Sequence, residues 1–236
     1  MGKEIEKIAL SRGHEIVVTF NEPDDWNGKE DHLAKADVAI EFSMPQSVVS
    51  NIFKCFDAKV PVVVGTTGWL GQLEHVRTVC REHNQSLLYA SNFSVGVNLF
   101  FEVNRVLAKL MNEHENYEVT IDETHHTSKL DAPSGTAIKL ANDIIDGLDR
   151  KDVWKNELTP NFYEVDILSH RVENVPGTHV VSYQSDIDKI ELTHTAKSRE
   201  GFAKGAVLAA EWIVGKKGVF TMSDLLKDVK FEGFSK

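Results

Sequence analysis

Two hydrophobic rhythms divide the chain near residue 93. Before that point, short apolar runs alternate with segments of helical period, the pattern of parallel strands joined by crossover helices. A helix comes first: Ile5, Ile8 and Ala9 share one face of residues 3–11, and Arg12-Gly13 punctuates its end. The β-branched run 15–20 predicts a strand, and 37–42 predicts a second. A helix over 46–57, a strand over 61–64, a Gly-rich turn, a helix through 81 and a strand over 86–89 continue the alternation. After Asn92 a long helix places Val95, Leu99, Val103, Val106, Leu107 and Leu110 on one broad face. Strands over 117–122, 162–168, 179–185 and 190–196 follow, interrupted by a helix over 136–146, which ends at Gly147, and a polar surface loop over 148–160. Helices over 202–215 and 222–227 close the chain.

The fold class expected from this pattern is α/β. A Rossmann-like, doubly wound parallel sheet takes residues 1–93 and 204–236, and a second α+β domain with a mixed or antiparallel sheet takes 94–203. Ligands are then expected outside the carboxyl ends of the parallel strands.

Composition narrows the partners. The formal charge of −10 over 236 residues argues against neutralising nucleic-acid phosphates, which needs clustered Lys and Arg. No apolar run approaches the ~20 residues of a membrane span, and residues 1–10 lack the apolar segment and cleavage site of a signal peptide. A cytoplasmic protein with a small-molecule partner is expected, without nucleic acid or membrane. Cys55 and Cys80 sit inside apolar helical patterns and read as small buried hydrophobes.

The densest reactive cluster runs from Glu123 through His125, His126, Lys129, Asp131 and Ser134 to Ala137, between a strand and a helix. Two imidazoles and a lysine offer the proton donors that a hydride-plus-proton reaction requires. Ser134 can cap the following helix, while the N–H groups of Gly135, Thr136 and Ala137 at its positive end can hold a carboxylate, with His126 and Lys129 completing the clamp. A plain helix cap beside a surface His pair is the competing reading. Gly65-Thr66-Thr67-Gly68-Trp69, after the strand 61–64, could line a nicotinamide or ribose, or be an ordinary turn. Residues 90–96, at the seam between the two rhythms, mark a ligand-lining segment or a hinge.

Taken in order, GTTGW, SNFSVGVNLF, ETHHTSKLDAPSGTA and HTAKSREGFAKGA closely resemble the dihydrodipicolinate reductase family over residues 2–227, with the third string the most specific. The resemblance implies reduction of a cyclic 4-hydroxy-tetrahydrodipicolinate by NADH or NADPH in lysine and diaminopimelate synthesis, by a homotetramer assembled through the second domain's sheet. It implies His125 and Lys129 as the proton-donating pair, and His126, Ser134, Gly135 and Thr136 as substrate-binding positions. Gly65, Thr66 and Thr67, with Ala90, Ser91, Asn92 and Phe93, match segments that contact the nicotinamide half of the cofactor. The family opens with a strand and a G-x-G-x-x-G loop, of which only Gly2 has a match here, as the last glycine. The expectation is therefore a chain lacking that strand and most of the loop, with unpaired strand edges and weakened cofactor binding. Asn21 stands where an acidic residue normally binds the ribose hydroxyls, which suits both NADH and NADPH, whereas a one-residue slip would put Glu22 there and favour NADH.

Two rival readings remain at this point. One is a metal-dependent hydrolase using Asp122, Glu123, His125 and His126, although adjacent strand residues face opposite ways and no metal is expected. The other is a catalytically impaired, assembly-competent homologue.

Overall fold

The computed structural model describes residues 1–21, 26, 28–198 and 200–228, and the chain forms two compact units, Met1–Val95 with Glu200–Lys236, and Gly96–Arg199. In chain order the elements begin with α1 (Gly2–Ser11), α2 (Glu30–Leu33), β1 (Ala39–Glu41), α3 (Val48–Asp57), β2 (Val62–Val64), α4 (Leu73–Glu82) and β3 (Ser86–Tyr89). They continue with α5 (Val95–Met111), β4 (Glu118–His125), α6 (Gly135–Ile145), β5 (Val153–Lys155), β6 (Glu164–Arg171), β7 (Thr178–Gln184) and β8 (Lys189–Thr195). Helix α7 (Glu200–Ile213), strand β9 (Gly218–Phe220) and helix α8 (Met222–Asp228) return to the first unit.

The first unit is a parallel sheet in the order β1-β2-β3-β9 with helical crossovers, the Rossmann-like arrangement expected. Strand β2 is Val62-Val63-Val64, fully buried, as a parallel strand covered on both faces must be. Helix α7 carries small residues, and a Cβ at Gly205 would lie 1.7 Å from the Phe93 carbonyl oxygen, so glycine lets the 90–93 segment seat against it. Residues 15–20 depart from expectation and form no strand. Ile16, Val18 and Phe20 are half-buried and Glu15, Val17 and Thr19 exposed, but no ladder partner joins them among the described residues. Period-two burial reports one-sided packing; a strand also needs a neighbour to take its N–H and C=O groups.

The second unit is a mixed five-stranded sheet, β5-β6-β4-β7-β8, with β4 parallel to β6 and antiparallel to β7. Val119, Ile121, Val165, Ile167, Val181 and Tyr183 meet α5 and α6 in one core. The face chosen by α5 differs from the one predicted. Phe100, Phe101, Ala108 and Met111 are buried, whereas Val103, Val106 and Leu110 are exposed. The helix carries two apolar stripes, and the larger aromatic one packs against the sheet while Asn104 ties it to the Leu140 carbonyl of α6. The supposed loop 148–160 contains the short edge strand β5, paired with β6.

Candidate active site

Strand register assembles a polar cluster in the second unit. Along β4 the buried positions alternate as Val119, Ile121, Glu123 and His125, so the two polar residues project from the same face as the core. Glu123 lies opposite Ser169 on β6 and opposite His179 on β7, and His125 lies opposite Arg171. The Glu123 carboxylate is completely enclosed. Its Oε1 accepts hydrogen bonds from the Ser134 backbone N–H at 3.0 Å and the Ser169 hydroxyl at 2.8 Å, with Arg171 Nη2 at 3.5 Å. Its Oε2 faces His125 Nδ1 at 3.4 Å and His179 Nε2 at 3.7 Å. Burial alone would raise this carboxyl's pKa, but the approach of His179 and hydrogen bonds from Ser134 and Ser169 outweigh it and hold Glu123 ionised well below the usual carboxylate range. Burial, reinforced by His179, pushes the His125 imidazole down to about 4.

The turn after β4 and the start of α6 complete the cluster. Ser134 is the N-cap of α6: its hydroxyl accepts from Ala137 N–H at 3.2 Å and meets His179 Nε2 at 3.1 Å. The helical ladder has no carbonyl for the first amides of α6, those of Gly135 and Thr136, and Gly135 is exposed with nothing within 4 Å of where a Cβ would stand. Lys129 makes two hydrogen bonds to Asp131, at 2.7 and 2.8 Å, and His126 Nδ1 meets the Ser128 hydroxyl at 2.7 Å. Arg171 also donates to the Asp131 carbonyl at 2.6 Å, linking the Lys129 turn to the Glu123 cluster.

The four residues of the hydrolase reading do not converge. Asp122 faces His170 at 3.1 Å, on the opposite side of the strand from Glu123. Glu123, His125 and His179 do bring donor atoms within 4.8 Å of one another, a span suited to a cation. However, Arg171 and two hydrogen-bond donors already serve the carboxylate, and the His179 ring nitrogen that faces it also meets Ser134. Glu123 was legible as a sharer of His125's face, two residues away; Ser169, Arg171 and His179 carried no local signal because only register brings them in.

In the first unit, Gly65 and Ala90 extend adjacent parallel strands at their carboxyl ends, Gly65 N–H donating to Glu41 O and Ala90 N–H to Val64 O. A Cβ at Gly65 would lie 2.2 Å from the Phe42 ring, which in turn stands 5.7 Å from the Phe93 ring. Thr66 is buried: its hydroxyl donates to Glu41 Oε2 at 2.6 Å and accepts from Ser43 N–H at 2.8 Å, while its carbonyl accepts from Trp69 Nε1. Its side chain braces the turn, and Thr67 is the exposed hydroxyl. Ser91 is exposed, Phe93 buried, and Asn92 Oδ1 accepts from Ser94 N–H. Gly2 opens α1 and Asn21 follows the extended 14–20 segment; both are exposed, and Glu22 lies outside the described residues.

Comparison with known proteins bears on both units. Residues 1–93 match the profile of dihydrodipicolinate reductase, N-terminus, and residues 96–226 that of its C-terminus. A 4-hydroxy-tetrahydrodipicolinate reductase of Christiangramia forsetii is 49% identical over 97% of this chain and 95% of its own length. That of Aquifex aeolicus is 39% identical over 96% and 94%. Among solved structures, a dipicolinate-bound dihydrodipicolinate reductase from Paenisporosarcina superposes with a TM-score of 0.74 at 22% identity, covering 93% of this chain and 92% of that one.

Proposed function

The chain belongs to the dihydrodipicolinate reductase family, and on that premise we propose that it reduces 4-hydroxy-tetrahydrodipicolinate with NADH or NADPH, using the pocket between β4 and α6. Substrate, reduced cofactor and one proton give tetrahydrodipicolinate, oxidised cofactor and water. The observation that carries the reading is the convergence on one buried carboxylate of a proton-handling imidazole, His125, and the open amide end of α6.

In this reading a substrate carboxylate sits on the amides of Gly135 and Thr136, where the helix macrodipole and unpaired N–H groups favour an anion, and His126 lies at the rim. Lys129, held two residues from its Asp131 partner, swings onto the substrate and supplies positive charge and a proton, shared with His125. Gly65, Thr67 and the 90–93 segment form the nicotinamide contact, at the carboxyl ends of β2 and β3 where parallel sheets hold their ligands. When bound, the nicotinamide supplies the hydride. Gly2 and Asn21 are the remaining cofactor positions. Assembly as a homotetramer uses the face of the five-stranded sheet opposite α5 and α6, and the protein works in the cytoplasm.

Calorimetric titration with NADH and with NADPH, followed by turnover of 4-hydroxy-tetrahydrodipicolinate, tests the proposal. Binding of either cofactor with dipicolinate-inhibited turnover is the expected result; absence of both binding and turnover overturns it.

A further inference from the structure

We propose that Glu123 is a positioning residue of this site: from the pocket floor it holds the proton of neutral His125 on Nδ1, leaving Nε2 as the ring atom that takes up and passes on the reaction's proton. The inference rests on the reductase reading and adds to it the atom that works and the residue that selects it.

The geometry is one-sided. Glu123 Oε1 is occupied by Ser134, Ser169 and Arg171, which leaves Oε2 turned toward His125 Nδ1. An ionised carboxylate only accepts, so the nitrogen opposite it must carry a proton. Glu123 Oε2 and His125 Nδ1 are both buried and neither makes a hydrogen bond among the described residues, so their 3.4 Å approach is the contact left to pair the two. The opposite ring atom is kept clear by Gly177, where a Cβ would stand 3.0 Å from Nε2. The charged and titratable groups facing His125 are Glu123 on its own strand, His179 on β7, Arg171 on β6 and Lys129 in the following turn. The three cationic or imidazole neighbours disfavour a resident imidazolium, and only Glu123 offsets them. His179 packs edge-on to His125 at 5.0 Å between ring centres. Because Glu123 also accepts from Ser134 N–H, one carboxylate aligns the proton-carrying ring and the helix end that anchors the substrate.

The resting protein itself provides the first test, through nitrogen-15 NMR of its imidazoles. The expected pattern for His125 is a protonated Nδ1 and a bare Nε2; a proton on Nε2 overturns the assignment without any variant. In Glu123→Gln the amide can donate to Nδ1, so the pattern should shift toward the other tautomer and kcat should fall at least tenfold, with a smaller change in KM. Glu123→Asp should recover part of the loss. Gly177→Ala, which covers Nε2, should lower kcat similarly and decides the matter if Glu123→Gln does not fold. Unaltered kcat and nitrogen pattern in a folded Glu123→Gln variant would sink the proposal. Wild-type protein that turns over substrate with its proton on Nε2 defeats this assignment alone, whereas wild-type protein without turnover defeats the reductase reading.

Discussion

The turn at Gly65–Trp69 and the cluster around Glu123 each bury a carboxylate toward the carboxyl end of a strand, and they treat it oppositely. Glu41 receives the Thr66 hydroxyl and hydrogen bonds from Ser43 and Asn51, and the Thr66 carbonyl is taken by Trp69, so the turn satisfies its own polar groups. Glu123 also collects donors on one oxygen, yet its second oxygen and one ring nitrogen each of His125 and His179 remain buried without hydrogen-bond partners among the described residues. A satisfied cluster is scaffold, since every donor already has its acceptor; an incompletely satisfied one retains capacity to move a proton, at a cost in stability. In the proposed function the first unit would present backbone to a cofactor and the second titratable atoms to a substrate.

The contrast can be broken most sharply at His125. His125→Gln should lower kcat by about a hundredfold or more, the scale of general acid–base catalysis, with melting temperature and cofactor affinity nearly unchanged in steady-state kinetics and calorimetry. Acid should then separate the units. With its folded pKa near 4 against an ordinary 6.5, His125 resists a proton that the unfolded chain accepts, so its contribution is intact above about pH 6.5 and is lost as pH falls toward 4. The loss amounts to about 3 kcal/mol. Below that range, protonation of Glu123 removes more, since its depressed pKa also favours the folded state only while it is ionised. Hydrogen exchange at pH 7 and pH 4.5 should show amides of β4 and β7 losing protection before those of β2. A smaller effect is expected from Thr66→Val, which takes a donor from buried Glu41 and should cost about 2 kcal/mol in urea unfolding while leaving kcat at saturating cofactor within a factor of about two. The smallest change comes from Ser134→Ala: loss of the cap should cost about 1 kcal/mol, accompanied by a raised KM for substrate because the first turn of α6 frays.

Much of the site was readable along the chain. His125, Lys129, Ser134 and Gly135 stand within eleven residues in one strand–turn–helix, so local rules of capping and alternation were enough to nominate them, while their catalytic roles await the variants above. Thr66 was nominated for the cofactor by its motif, but its hydroxyl is spent on Glu41, a partner 25 residues away. The strand expected at 15–20 and the wrong face of α5 fail for a related reason: hydrophobic period says that a side is buried, not what buries it.

The chain alone determined the α/β class, the order and approximate limits of most helices and strands, and the segment proposed to carry the chemistry, because these depend on residues within a turn or two of one another. The tertiary structure decided what surrounds that segment. Parallel pairing with β6 and antiparallel pairing with β7 deliver Ser169, Arg171 and His179 to Glu123 from 46 to 56 positions away, and nothing in local sequence encodes that register. Burial then sets protonation: the same histidine that titrates near neutrality in water loses its proton preference once His179 and an enclosed sheet face replace solvent.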